Sequence, residues 1–313
     1  MEEKVTSKKI CSVSIVPDRE NAKNYIKNCF INADIILSEQ QTEQFLTYYE
    51  LLVEKNRVMN LTAITEFEDV AQKHFLDSVL VSVSTPSVHM SLNVKILSDN
   101  NSANNYINNG TTDNNTKTNT KTNTNTNTET NTNTNTCMRA NTDAALKLID
   151  VGSGAGFPGI PLKIVFPDLQ VVLLDSLNKR VQFLNEVICK LQLSDITAVH
   201  GRAEDAAFDS SYREGFDICV SRAVANLSSL SEYCLPFVRR GGTFIAYKSA
   251  EIDQECLDAK KAIFLLGGSI TSINRAQIPD TDIERSFVFI RKERGTPAKY
   301  PRKAGTPTKS PLS

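Results

Sequence analysis

From Ala145 onward the chain alternates short apolar runs with amphipathic stretches, and no other feature restricts its fold so tightly. The runs LKLID (146–150), QVVLLD (170–175), ITAVH (196–200), FDICVS (216–221) and GTFIAYK (242–248) are separated by helix-period segments such as LNKRVQFLNEVICKLQL. Strand, crossover helix and strand make the βαβ unit, whose parallel sheet has both faces covered by helices. The last two runs, SITSINRAQI and RSFVFIRK, have no helix between them and predict an antiparallel hairpin at the sheet edge. The expected fold is therefore α/β: a doubly wound, Rossmann-like sheet with a C-terminal antiparallel hairpin, preceded by an N-terminal helical unit.

That helical unit is read from two capping signals. Ser38 with Gln41 makes a capping box, after which Phe45, Tyr48, Tyr49, Leu52 and Val53 recur at helical spacing toward Met59. Thr65 with Glu68 repeats the signal and predicts a second helix whose apolar face holds Val70, Phe75, Val79 and Leu80. Between the helices and the sheet lies a compositional break: residues 108–136 contain 24 Asn or Thr in 29 positions and no apolar side chain. Such a segment has nothing to bury, so it is expected to be a disordered insert without function. The chain then divides into an ill-defined extension (1–35), the helical unit (36–97), the insert (98–144), a nucleotide-binding domain (145–291) and a basic tail (292–313).

Composition excludes several classes. Seven scattered cysteines without a CxxC pair argue against a disulfide framework or a zinc site, and three His are too few for a His-rich metal centre; no metal is expected. The charged opening and the lack of long apolar stretches predict a cytoplasmic chain without membrane contact, acting as a monomer. The net charge of −1 hides an asymmetry, since from Arg285 to the end eight basic residues face one acid. The tail RGTPAKYPRKAGTPTKSPLS is expected to stay solvated and to be free to follow a phosphate backbone.

Directly after the first strand comes Asp150-Val-Gly-Ser-Gly-Ala-Gly-Phe-Pro-Gly159. Glycines at a strand-to-helix turn let a ligand approach the backbone, and the helix beyond is expected to offer free N–H groups. Asp175, ending the second strand, is placed to accept hydrogen bonds from ribose hydroxyls. The spacing is GxGxG, with Pro158 and Pro161 in the following turn, rather than the GxGxxG that aims a helix dipole at a pyrophosphate. S-adenosylmethionine, which has no phosphate, fits that variation better than a dinucleotide. Gly152, Gly154 and Gly156 are the expected cradle for it, and the acids Glu204 and Asp205 after the third strand are expected near the adenine.

The blocks NLTAIT (60–65), HFLDSV (74–79), DVGSGAGFPGIPL (150–162), LDSLNKRVQFL (174–184), GRAED (201–205), SRAVA (221–225) and TPAKYPRKAGTPTKSPL (296–312) resemble, in this order, the bacterial small-subunit ribosomal RNA guanine-N7 methyltransferases, also called glucose-inhibited division protein B. The resemblance implies the methyltransferase form of the doubly wound sheet, S-adenosyl-L-methionine as cofactor, and 16S ribosomal RNA or the small ribosomal subunit as partner. It also implies cofactor contacts at Gly152, Phe157, Ala203, Glu204 and Arg222. Guanine N7 carries an in-plane lone pair, so its methylation calls for alignment and desolvation rather than a strong base. No catalytic dyad is expected, and Arg222 is the candidate for positioning cofactor or guanine. Asn60, His74 and Lys248, with Lys299, Arg302 and Lys303 in the tail, are the candidate RNA contacts. From the glycine loop and Asp175 alone, an NAD-dependent oxidoreductase remains open, and so does a noncatalytic ribosome-assembly protein using the basic tail.

Overall fold

The computed structural model describes residues 18–83, 145–222, 225–249 and 251–312. The Asn/Thr tract and the remainder of the expected insert lie outside them. Seven strands form one sheet: β1 (Lys147–Val151), β2 (Gln170–Asp175), β3 (Ile196–His200), β4 (Phe216–Ser221), β5 (Val238–Ser249), β6 (Gly268–Gln277) and β7 (Glu284–Lys292), in the order β3-β2-β1-β4-β5-β7-β6. The first five are parallel; β7 enters antiparallel between β5 and β6. The expected hairpin is therefore present, and its second strand is the one that joins the sheet. The order reverses beside β1, and in such sheets ligands bind in the crevice at the carboxyl ends of the strands around that point.

Strand alternation sorts the core onto two faces. On one lie Leu148, Ile218, Val220, Ile245, Tyr247, Phe287 and Phe289; on the other lie Ile149, Val151, Cys219, Phe244, Ala246, Val288 and Ile290. Helices α8 (Leu227–Cys234) and α9 (Asp253–Leu265) cover the second face with Leu227, Leu230, Cys256, Ala259 and Ile263. The first face is covered by helices α5 (Gly159–Val165) and α6 (Asn178–Lys190) and by the N-terminal helices, whose Phe45, Tyr48, Phe75 and Val79 belong to the same core. No helix among the described residues is long and apolar enough to cross a membrane.

Helix α1 (Arg19–Ile31) begins at the Asp18 cap and buries Ala22, Ile26, Cys29 and Phe30, in a stretch that the sequence left undefined. Helix α2 (Glu39–Met59) starts at the expected box: Gln41 N–H donates to Ser38 Oγ at 3.2 Å, and Ser38 N–H donates to Gln41 Oε1 at 2.8 Å. The Gln41 amide goes on to donate to the Ile164 carbonyl at 2.8 Å, tying the start of α2 to the end of α5. The second capping signal is not used. Helix α3 (Phe67–Val70) follows Glu66, without a side-chain cap, and runs through a π-helical turn (Ala71–Leu76) into α4 (Asp77–Val83). Thr65 instead lends its carbonyl to the Tyr49 hydroxyl at 3.1 Å.

The basic tail is packed rather than solvated. Lys292 is buried, donating from Nζ to the Leu235 carbonyl and Thr296 Oγ1, each at 2.6 Å. Tyr300 and Pro307 are buried, and a short helix α10 (Thr306–Lys309) closes the segment. Arg302 grips fully buried Glu232, with Nη2 to Oε2 at 2.7 Å and Nε to Oε1 at 2.9 Å. Composition alone missed this packing because its basic side chains are partly spent on an internal acid and on carbonyls.

Candidate functional site

The glycine loop is shaped by its own backbone. Gly152, Gly154 and Gly156 have φ of 75°, 60° and 103°, which L-residues rarely adopt. Gly152 N–H donates to the Leu174 carbonyl at 2.8 Å, and Gly154 N–H to Asp175 Oδ2 at 2.9 Å, so the end of β2 fixes the loop after β1. Asp175 Oδ1 accepts from Leu177 N–H at 2.9 Å. A Cβ on Gly152 would meet nothing within 4 Å, while one on Gly154 would meet only the Gly152 carbonyl oxygen at 3.9 Å. These two face open space. Gly156 does not: its Cβ would come within 2.5 Å of the Tyr48 hydroxyl and 2.6 Å of Ile160 Cδ1. Its missing side chain makes room for α2 rather than for a ligand, which corrects its expected place in the cradle.

The loop opens into a cleft of about 520 Å³ at the carboxyl ends of β1, β2 and β4. Gly152, Gly154, Phe157, Asp175, Ala203, Glu204 and Arg222 all line it; Gly156 does not. Of the acid pair after β3, Glu204 lines the cleft and is buried, whereas Asp205 is exposed and outside it.

The helix that follows the loop leaves no N–H for a phosphate. Gly159 N–H donates to Asp150 Oδ2 at 2.9 Å, Ile160 N–H to the Gly156 carbonyl at 2.8 Å, and Pro161 has no N–H to give. The expectation of free donors there is overturned, because the Asp150 carboxyl and the Gly156 carbonyl already take the first two N–H groups of the helix. Burial pushes that carboxyl up to about 7, against the pull of the Gly159 N–H and Arg222. Asp150 Oδ1 and Ser153 Oγ are buried without a hydrogen-bond partner among the described residues, and Ser153 lines the cleft. Open space over Gly152, carboxylates at Asp175 and Glu204 for hydroxyl and amine donors, and an unpartnered Ser153 hydroxyl fit a nucleoside without phosphate, and so fit S-adenosylmethionine.

On the opposite wall the π-helical turn brings His74 to the cleft. Its ring stacks on Phe157 at 4.5 Å between centroids, Nε2 lies 2.7 Å from Thr62 Oγ1, and Nδ1 lies 3.2 Å from an Arg222 Nη2. Burial and then the Arg222 charge hold His74 down to about 4, so it is neutral near pH 7. Nδ1 also lies 3.1 Å from the Lys73 carbonyl, so a neutral ring protonated at Nε2 donates to Thr62 and accepts from Arg222, whereas one protonated at Nδ1 donates to Lys73 and accepts the Thr62 hydroxyl proton at Nε2. Arg222 lies over the Phe157 ring at 5.0 Å and donates from Nη1 to Asp77 Oδ2 at 3.0 Å. Asp77, 1% exposed, also accepts from Arg285 Nε at 2.8 Å. Asp77 and Arg285 were missed in the sequence although Asp77 lies in the HFLDSV block; nothing local reveals that it meets two arginines from 145 and 208 residues away.

The remaining RNA candidates are scattered. Asn60, exposed, caps α2 with φ 49° next to cleft residues Leu61 and Thr62. Lys248 is not free to meet a phosphate: its Nζ donates to the Ala225 carbonyl at 2.7 Å and to Glu255 Oε1 at 2.5 Å, anchoring the chain after β4. Lys299 and Lys303 are exposed on the packed tail, and Arg302 is committed to Glu232.

A family model described as rRNA small subunit methyltransferase G matches residues 41–92 and 99–285. The chain belongs to that family. A ribosomal RNA small subunit methyltransferase G of Lachnoclostridium phytofermentans is 45% identical over 276 residues, 88% of this chain and 91% of the relative. Relatives of the same description from Acetivibrio thermocellus and Staphylococcus aureus (strain Newman) are 43% and 42% identical, covering 88% and 89% of this chain and 91% and 93% of theirs. In this methyltransferase family member the cleft lies at the carboxyl ends of β1, β2 and β4 and is lined by Gly152, Gly154, Phe157, Asp175, Ala203, Glu204 and Arg222.

Proposed function

We propose that this chain transfers the methyl group of S-adenosyl-L-methionine to N7 of a guanine in 16S ribosomal RNA, acting as a cytoplasmic monomer on the small subunit or its precursor. Its membership of the methyltransferase G family supports the reaction. The observation that carries the cofactor over a dinucleotide is the Asp150 carboxyl on Gly159 N–H, which takes the first donor that a helix start would offer a pyrophosphate. The cofactor supplies an electrophilic methyl on a sulfonium centre.

The protein's part is binding, orientation and exclusion of water. Gly152 and Gly154 allow close backbone approach, Asp175 accepts from ribose hydroxyls, and Glu204 and Ala203 border the adenine. The guanine enters on the side of Phe157, His74 and Arg222. N7 attacks with its own lone pair and loses no proton, so none of these residues has to act as a base. Neutral His74 keeps a second cation away from a base that becomes positively charged on methylation, while the charge of Arg222 is balanced by Asp77. Exposed Lys299 and Lys303 supply phosphate contacts outside the cleft. Calorimetric titration with S-adenosylhomocysteine and, separately, with NAD tests the cofactor reading: binding of the first alone is expected, and binding of NAD alone would overturn it.

A further inference from the structure

The C-terminal segment touches two residues that line the cleft. Gly305 N–H donates to Glu204 Oε1 at 2.9 Å, and Thr308 Oγ1 lies 2.7 Å from the Tyr233 hydroxyl; Glu204 and Tyr233 both form cleft wall. The segment is itself fastened from behind. Arg302 holds buried Glu232, the residue before Tyr233, and Ser229 Oγ donates to the Pro307 carbonyl at 2.7 Å. Gly305 has φ 79°, the turn that aims its N–H at Glu204. Glu204 sits at the start of α7 (Ala203–Ala206), a single turn too short to orient a carboxylate rigidly by itself.

We propose that the segment Tyr300–Lys309 is the outer support of the cofactor cleft, in which Gly305 and Thr308 are positioning residues that fix Glu204 and Tyr233 for the bound cofactor. The inference rests on the cofactor reading above. A carboxylate held by a charge-assisted hydrogen bond from a fixed backbone N–H presents its other oxygen in one orientation. Released from that bond, Glu204 must be ordered again each time the cofactor binds, which costs affinity rather than chemical rate.

The test uses the otherwise full chain ending at Ala304, together with Thr308→Val, Thr308→Ser and Gly305→Val. Loss of residues 305–313 is expected to weaken S-adenosylhomocysteine binding by about tenfold or more, from the size of a hydrogen bond to a charged group. Thr308→Val is expected to cost about twofold to threefold, with Thr308→Ser restoring native affinity, because an exposed bond contributes less. The KM for cofactor should take the change, while kcat at saturating cofactor stays within about twofold. Ile263→Ala, in α9 and away from the cleft, serves as a control for lost stability and should leave affinity unchanged. A shortened chain that unfolds cooperatively yet binds with native affinity overturns the proposal; if that chain does not fold, native affinity in both Gly305→Val and Thr308→Val does so. Equal loss of affinity in Ile263→Ala also overturns it, by making stability the cause. Failure of the unmodified protein to bind would instead sink the cofactor reading.

Discussion

Replacing Gly152 and Gly156 by Ala should separate binding from folding within one loop. At Gly152 the added Cβ meets nothing within 4 Å, so the only intramolecular cost is φ 75° for an L-residue, about 1–2 kcal/mol. At Gly156 the backbone cost at φ 103° is at least as large, and the Cβ must displace Tyr48, fully buried and bonded through its hydroxyl to the Ala155 carbonyl, or Ile160, also fully buried. Overpacking of that kind costs about 1–3 kcal/mol, so Gly156→Ala should lose roughly 2–5 kcal/mol in all. That is a large part of the stability of an ordinary domain. Urea unfolding of the two variants gives the stabilities, and calorimetry with S-adenosylhomocysteine gives the affinities. Gly152→Ala should lose only about 1–2 kcal/mol and bind poorly, since its methyl projects into the space for the ligand. Gly156→Ala should be strongly destabilised, and should bind with near-native affinity under conditions where it is still folded. The reverse pattern, with Gly156→Ala stable and unable to bind, would refute the assignment of the two glycines to different neighbours.

Three further outcomes follow from the same contacts. Arg302→Met leaves the Glu232 carboxylate buried without its guanidinium and should cost roughly 3 kcal/mol in urea unfolding. Because the folded pKa of His74 is depressed from 6.5 to about 4, its neutral form supports the fold above pH 6.5, and that support is lost as pH falls through this window. Asp150, raised to about 7, acts in the opposite sense and is common to both proteins, so the difference between the native chain and His74→Gln isolates the histidine. The native chain should lose up to about 3 kcal/mol more than the variant between pH 6.5 and 4 in denaturant titrations, and parallel curves would contradict the burial of a neutral ring. Finally, Lys303→Gln should lower the salt slope of RNA binding by about one, whereas Lys248→Met should leave that slope unchanged while reducing methylation, which filter binding across a salt series can measure.

The strands were legible because β-branched and aliphatic runs of five or six residues carry their own signal, and QVVLLD and ITAVH coincide with β2 and β3. The glycine loop was legible as a turn, but the division of labour among its glycines was not. Gly156 answers to Tyr48, 108 positions earlier, and a motif cannot state which neighbour a missing side chain accommodates. Helix α1 carries apolar residues at Ala22, Ile26, Cys29 and Phe30, a helical stripe diluted by Asn and Lys. The tail misled because its composition is that of a solvated arm, while its order comes from long-range pairings of Arg302 with Glu232 and Gly305 with Glu204. For Arg222, the sequence placed it at the strand end but could not reveal Asp77 beneath it, since that pairing exists only once the N-terminal helices cover the sheet.

The most direct measurement of the central claim is methyl transfer from labelled S-adenosylmethionine to small ribosomal subunits or 16S ribosomal RNA purified from cells lacking this gene. Reacted RNA is mapped by chemistry that cleaves the chain at N7-methylguanine. A single guanine that gains label and becomes cleavable is the predicted result. Label on an exocyclic amine, or no transfer despite binding of the cofactor, would contradict it.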